Sequence, residues 1–252
     1  MSDDRDQLAG PGLYLYGLVQ LDEHVPEDLI GVQDEPVRGE RLAQVTALVS
    51  HLDDGAVVGR PAEVRAHAAV VDTMAGRGPV LPIQFGTTTD DLDGIGSALP
   101  AERQQAYVDN LRRLADVVQL SLTARYVQDT VIAELVREDP EIRQLRELTR
   151  GRPEVVTHDA RVRLGELVVA GFERKRAADA DLLERAVVPL VEELRHREVT
   201  QVDVVLDAAV LVRRDAVARF EDALEDVAAG VVGRITLRLV GPQAPYDFVE
   251  EV

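Results

Sequence analysis

The chain alternates between stretches of period two and stretches of helical period. LYLYGLV (13–19) is apolar on both faces, which predicts a strand buried from two sides. LAQVTALVS (42–50) predicts a second strand. Val64, His67, Ala68 and Val71 then recur at helical spacing, behind Pro61 at a first helical position and ahead of Gly76. PVLPIQF (79–85) predicts another strand. Pro79 and Pro82 lack an N–H, so it belongs at a sheet edge or a strand start. A loop through Gly94 and Gly96 leads to a helix near 101–115, with Tyr107, Leu111 and Leu114 aligned.

In VQLSLTARY (118–126), Val118, Leu120, Leu122, Ala124 and Tyr126 alternate with polar residues, which predicts one buried and one wet face. Helical segments near 128–138 and 140–149 follow, and their charged residues predict a solvated arm. A long helical stretch spans 158–196, with stripes Leu164, Leu167, Val168, Phe172 and Leu183, Val187, Leu190, Leu194. Pro189 should kink it. VTQVDVVL (199–206) and AAVLV (208–212) predict two strands in quick succession. A helix from an Asp215 cap to Gly230 carries Val217, Phe220, Leu224 and Val227 on one face. GRITLRLVGP closes the set, with Ile235, Leu237 and Leu239 on one side.

The expected architecture is α+β in two domains. Residues 1–11 form a disordered leader, and 12–115 an N-terminal α+β unit. Residues 116–252 form a ferredoxin-like antiparallel sheet (βαββαβ) that includes the long helical segment 158–196.

Composition narrows the chemistry. With 28 basic and 46 acidic residues the formal charge is −18, which argues against nucleic acid and anionic membrane as partners. Cysteine is absent, so disulfides and thiolate sites are excluded. No apolar run approaches the ~20 residues of a membrane span. The polar N-terminus lacks a signal-like apolar region, so a cytoplasmic protein is expected. Arg174-Lys175-Arg176 is the one basic run. Flanked by Glu173 and Asp179, it reads as a solvated helix face.

The stretch PVLPIQFGTTTDD (79–91) has the ingredients of a ligand loop, yet each version fails. Lys175, the sole lysine, lies far from any phosphate loop here. Gly94-Ile95-Gly96 begins a dinucleotide fingerprint, but Leu99 takes the third glycine position. A calcium loop on Asp91, Asp93 and Gly94 has Thr89 at its first position and Pro100 at its last. Asp90, Asp91 and Asp93 therefore read as a solvated turn, with Thr87 to Thr89 satisfying backbone groups locally. The five histidines are scattered, and no serine lies in a G-x-S-x-G elbow. His67, on an apolar helix face, reads as a hydrogen-bonded core histidine. No catalytic, cofactor-binding or metal residue is expected.

Four motifs in order resemble the gas vesicle protein F/L family. They are Leu13-Tyr14-Leu15-Tyr16-Gly17, Pro82-Ile83-Gln84-Phe85-Gly86-Thr87, Ala208-Ala209-Val210-Leu211-Val212, and Gly241-Pro242-Gln243-Ala244-Pro245-Tyr246-Asp247-Phe248. A helix bearing His67 precedes the second. Gln84 stands where the family has arginine, Val210 where it has phenylalanine, and Gln243-Ala244 where it has Trp-Pro. The resemblance implies a non-enzymatic accessory or minor structural protein of gas vesicles, the gas-filled compartments that give cells buoyancy. Its implied partners are the small apolar main shell protein and other accessory proteins. The motif residues then shape the fold: Pro82 holds the strand entry, Phe85 fills the core, and Gly86 lets the chain turn at a positive φ. Partner contact is expected from exposed apolar residues of the long helix and from the tail around Tyr246 and Phe248. The competing reading is a small-molecule enzyme or regulatory sensor built on the same kind of sheet.

Overall fold

The computed structural model describes residues 12–53 and 59–249, in which two antiparallel sheets carry helices. The expected leader at 1–11 lies outside the described residues. These residues fall into two compact units, 12–119 with 242–249, and 120–241.

The first unit holds β1 (Gly12–Gln20), β2 (Arg38–Arg41), β3 (Val45–Leu52), α1 (Pro61–Arg77), β4 (Val80–Pro82), β5 (Thr88–Thr89), α2 (Leu92–Ala98) and α3 (Gln104–Arg113). Its sheet runs β2-β3-β1-β4, with β5 also on β1. β1 is central, and Leu13 to Val19 have almost no hydrophobic side chain left in water. Among the described strands β4 pairs only with β1, so Pro82 costs no ladder bond on the outer side. Tyr16 is the extra residue of a bulge in β1, between the pairs Leu15–Val49 and Gly17–Leu48. Gly17 then lies against β4: a Cβ there would come within 2.8 Å of the Leu81 carbonyl oxygen.

Three local readings change. β2 (RGER) has no apolar residue to announce it, as suits a charged edge strand. The glycine loop at 92–98 is α2, because the Asp91 carboxylate accepts the Gly94 N–H at 2.7 Å and caps it. The buried face of α1 is Glu63, His67, Val70, Val71 and Met74, while Val64 is exposed and Gly76 lies inside the helix. Glu63 explains the rotation. Its carboxylate reaches back to the N–H groups of Gly59 and Arg60, both at 2.8 Å, which turns position 63 inward.

The second unit is built from β6 (Val117–Tyr126), α4 (Gln128–Glu138), α5 (Pro140–Thr149), α6 (Glu154–Val187), β7 (Glu193–His196), β8 (Val204–Arg213), α7 (Val217–Gly230) and β9 (Ile235–Gln243). Its sheet order is β7-β8-β6-β9. The apolar alternates of β6 are buried, and Phe172, Leu183, Val187, Phe220 and Leu224 pack on them. The long helix ends earlier than its pattern suggests. Pro189 terminates α6 in a single 3-10 turn at 188–190 rather than kinking it, and 193–196 is strand β7. The two strands expected at 199–212 are one strand, β8, because 199–203 is the turn that enters it. Asp215 does not cap α7; its carboxylate pairs with Arg213 at 3.1 Å.

The last motif also moves. It was expected with the second half of the chain, yet from Pro242 onward it belongs to the first unit. Ala244 and Phe248 are fully buried there. Asp72 accepts the Ala244 N–H at 2.8 Å, and Arg113 donates to the Phe248 carbonyl at 2.6 Å. Gln119 and Asp247 bond each other twice, at 2.6 and 3.1 Å.

Candidate functional site

Most motif residues of the first unit converge on His67. β1 supplies Tyr14 and Tyr16, with ring centroids 4.8 Å apart. The imidazole of α1 stacks on Tyr16 at 5.5 Å and 26°. Phe85 meets it edge-on at 5.7 Å, and Tyr246 from the tail lies at 6.4 Å. The Tyr14 hydroxyl accepts the Gly86 N–H at 2.9 Å and sits 3.0 Å from His67 Nδ1. Its own proton therefore goes to Nδ1, and the ring proton is placed on Nε2. Nε2 is buried beside the Ile83 carbonyl, without a hydrogen bond of good geometry. The Tyr16 hydroxyl accepts the Val32 N–H at 2.7 Å and shares a proton with Ser50 Oγ at 2.8 Å. Gly31 leaves room for it, since a Cβ there would fall 2.0 Å from that oxygen.

Burial sets the charge state of this cluster. It lowers His67 from 6.5 to about 4 and raises the Tyr14 phenol to about 12, so both are neutral at pH 7. The arrangement locks β1, α1 and the turn at Gly86 together. Gly86 has φ +88° and nothing near its absent Cβ. A Gly86→Val substitution is therefore expected to cost about 1 kcal/mol or more through backbone strain alone. A thermal melt checks this, and an unchanged melting point would mean that the turn relaxes freely.

Phe85 is half-buried rather than fully in the core, and Thr87 donates its hydroxyl to the Gln84 carbonyl at 2.8 Å. In the tail, Gly241 and Pro242 are exposed at the end of β9, and Pro245 is buried. Tyr246 remains 40% exposed, whereas Phe248 is fully buried and offers nothing to a partner.

The second unit contains an ion network with no counterpart in the sequence reading. Arg234 donates two parallel bonds to Asp179, both 2.7 Å, and Nε bonds to Glu134 at 3.0 Å. Tyr126 donates to the same Asp179 at 2.5 Å. Lys175 reaches Glu134 at 3.0 Å and Glu138 at 2.9 Å. The basic run is thus not a solvated face: Lys175 joins α6 to α4, and Arg176 donates to the Val202 carbonyl at 2.9 Å. Burial pushes Asp179 up, but the bonds from Arg234 and Tyr126 outweigh it and hold the carboxyl below its usual range. Sequence spacing could not reveal partners that lie 55 and 53 positions apart. Ser50, Asp72, Gln119 and Arg113 were missed for the same reason.

Among the described residues, no group of three or more His, Asp or Glu side chains could hold a metal ion, and no helix is long and apolar enough to cross a membrane. The described residues form a two-sheet α+β protein in which Tyr14, Tyr16, Phe85 and Tyr246 pack around His67 within the first unit. The chain belongs to the gas vesicle synthesis protein GvpL/GvpF family, whose model matches residues 12–250. It is 29% identical over 240 residues to gas vesicle protein F of Streptomyces sp. (strain CB03234), covering 94% of this chain and 99% of that one. It is 20% identical over 243 residues to gas vesicle protein F of Microcystis aeruginosa (strain PCC 7806), covering 95% and 98%. The crystal structure of GvpF from Anabaena sp. PCC7120 superposes with TM-score 0.80 at 19% identity, covering 96% of this chain and all of that one. Membership of this family supports a gas-vesicle-related role.

Proposed function

We propose that the chain is a non-catalytic gas vesicle accessory or minor structural protein that binds the small apolar shell protein and supports vesicle assembly. It would work in the cytoplasm, beside the growing vesicle and with other accessory proteins. We read it as two domains, the second ferredoxin-like. The order β7-β8-β6-β9, with helices between β6 and β7 and between β8 and β9, supports that reading.

The observation that carries the functional reading is an exposed apolar seam on α6. Val155, Val162 and Val169 are 91, 50 and 45% exposed. Their seven-residue spacing keeps them on one face of the helix, as in a seam that packs against another helix. Exposed Asp159, Glu166 and Glu173 repeat at the same interval beside them. A soluble chain of charge −18 that shows such a seam can hold an apolar partner without aggregating itself.

Apolar burial, not charge pairing, supplies the affinity, so the complex is expected to survive molar NaCl, where the Debye length falls to ~3 Å. Val162→Asp and Val169→Asp are expected to abolish co-purification with the co-expressed shell protein while leaving the unfolding free energy within ~0.5 kcal/mol of the parent. Dissociation at moderate salt, or full binding by both variants, would overturn the reading. Thermal-shift screening with nucleotides and metals separates it from the enzyme or sensor reading, since a ligand that binds only the native state raises the midpoint.

A further inference from the structure

A cleft of about 360 Å³ lies between α7 and β9. Leu224, Leu237, Leu239 and Ala228 line it, with Glu221 and Glu225 at its mouth. Its size falls within the ~300–1,000 Å³ of ordinary ligand clefts. It also adjoins a sheet edge. β9 comes last in the order β7-β8-β6-β9, and no strand among the described residues pairs with its other side. An unpaired edge presents N–H and C=O groups as a template for another strand. Pro242 blocks only the far end of β9, because it lacks an N–H. Along the strand, Leu237 and Leu239 face the cleft side, while Thr236 and Arg238 take the opposite face by alternation.

Charge selects the occupant. Glu221 and Glu225 are exposed one helical turn apart and form no ion pair among the described residues. Two like charges at this spacing repel each other mildly, so a cation placed between them is attracted to both. This chain does not supply one readily. A second copy of the chain would bring a further charge of −18. We infer that the edge of β9 and this cleft receive an extended segment of another protein, with apolar side chains for the cleft and Lys or Arg for Glu221 and Glu225, added to the sheet as a further strand. This site is independent of the α6 seam and of the identity of the shell partner.

The test uses the full chain and a dye-labelled synthetic peptide of the same length as β9, read by fluorescence anisotropy; valine and arginine take turns at every second position, with threonine between, so that both kinds of side chain share the face turned to the cleft. A second peptide replaces arginine with glutamate. A third carries N-methyl groups on alternate residues, which removes edge hydrogen bonds but keeps the side chains. The arginine peptide is expected to bind, and the other two to lose binding. Glu221→Gln with Glu225→Gln keeps the fold and should weaken binding about three- to tenfold, with a flatter salt dependence. Ala228→Trp fills the cleft and should abolish binding. If that variant misfolds, Ala228→Met offers the same test with less bulk. No binding by the parent chain overturns the inference. So does equal binding of the N-methylated peptide, or indifference to both the glutamine and the cleft-filling variants.

Discussion

An Arg234→Ala variant is expected to be about 3–5 kcal/mol less stable than the parent chain. The guanidinium makes two bonds to Asp179 and one to Glu134, and it lies 5.5 Å from the Tyr126 ring centroid. Removing it leaves the Asp179 carboxylate nearly buried, with the Tyr126 hydroxyl still donating to it. An uncompensated buried charge costs far more than the pair contributes when intact, since both ions were desolvated to make it. Adding Asp179→Asn to Arg234→Ala should therefore recover part of the loss, and the two effects should be clearly non-additive. Urea titration measures both, with amide exchange in β6 and α6 locating the change. A loss below about 1 kcal/mol would mean that water enters and solvates Asp179, and that the network is not dry.

Stability is expected to fall by about 3 kcal/mol through His67 as the pH drops from 6.5 to 4. Burial lowers the folded-state value to about 4, while the unfolded chain keeps the ordinary 6.5. The unfolded state thus binds more protons in this window, and stability rises with pH across it. The contribution is complete above 6.5 and gone below 4. Protonation would also put a donor at both ring nitrogens, so Tyr14 could no longer donate to Nδ1 while accepting from Gly86. Carboxylates add slopes of their own, but that of Glu63 comes lower: the Gly59 and Arg60 bonds hold it at about 2, so its loss begins below the usual 4.5. His67→Phe isolates the histidine term. That variant should be less stable at pH 7, because Tyr14 loses a partner, yet its stability should be flatter between pH 6.5 and 4. Parallel curves for the two proteins in this window would show that His67 is solvated or paired, and so not titrating as described.

The elements with strong period were legible from residues alone. β1, β6, α3 and α7 lie where their apolar patterns place them, because burial on one or two faces writes that pattern directly. The helices α4 and α5 were expected as a solvated arm, yet Val131, Leu135 and Ile142 are buried in the core. β2 and β7 were not legible. Both are short edge strands held by hydrogen bonds to β3 and β8; β2 has no apolar residue, and β7 offers the core only Leu194. The end of α6 was misread because Leu190 and Leu194 continue a helical spacing that Pro189 interrupts.

The sequence by itself determined an acidic, cysteine-free α+β chain and, through four ordered motifs, its family. Tyr14, Tyr16 and Gly17 were recognised as motif members through the family resemblance, whereas Pro82 and Gly86 also carry their local demands, a strand entry and a positive φ, in their residue type. What joins them could not be recognised. That the two tyrosines bracket His67, that the tail returns to the first unit, and that the sole lysine serves an ion network are matters of tertiary structure. The physical reason is range. A strand or a turn is specified by neighbours a few bonds away, whereas a buried hydrogen bond or charge pair exists only once the chain has closed over it and excluded water.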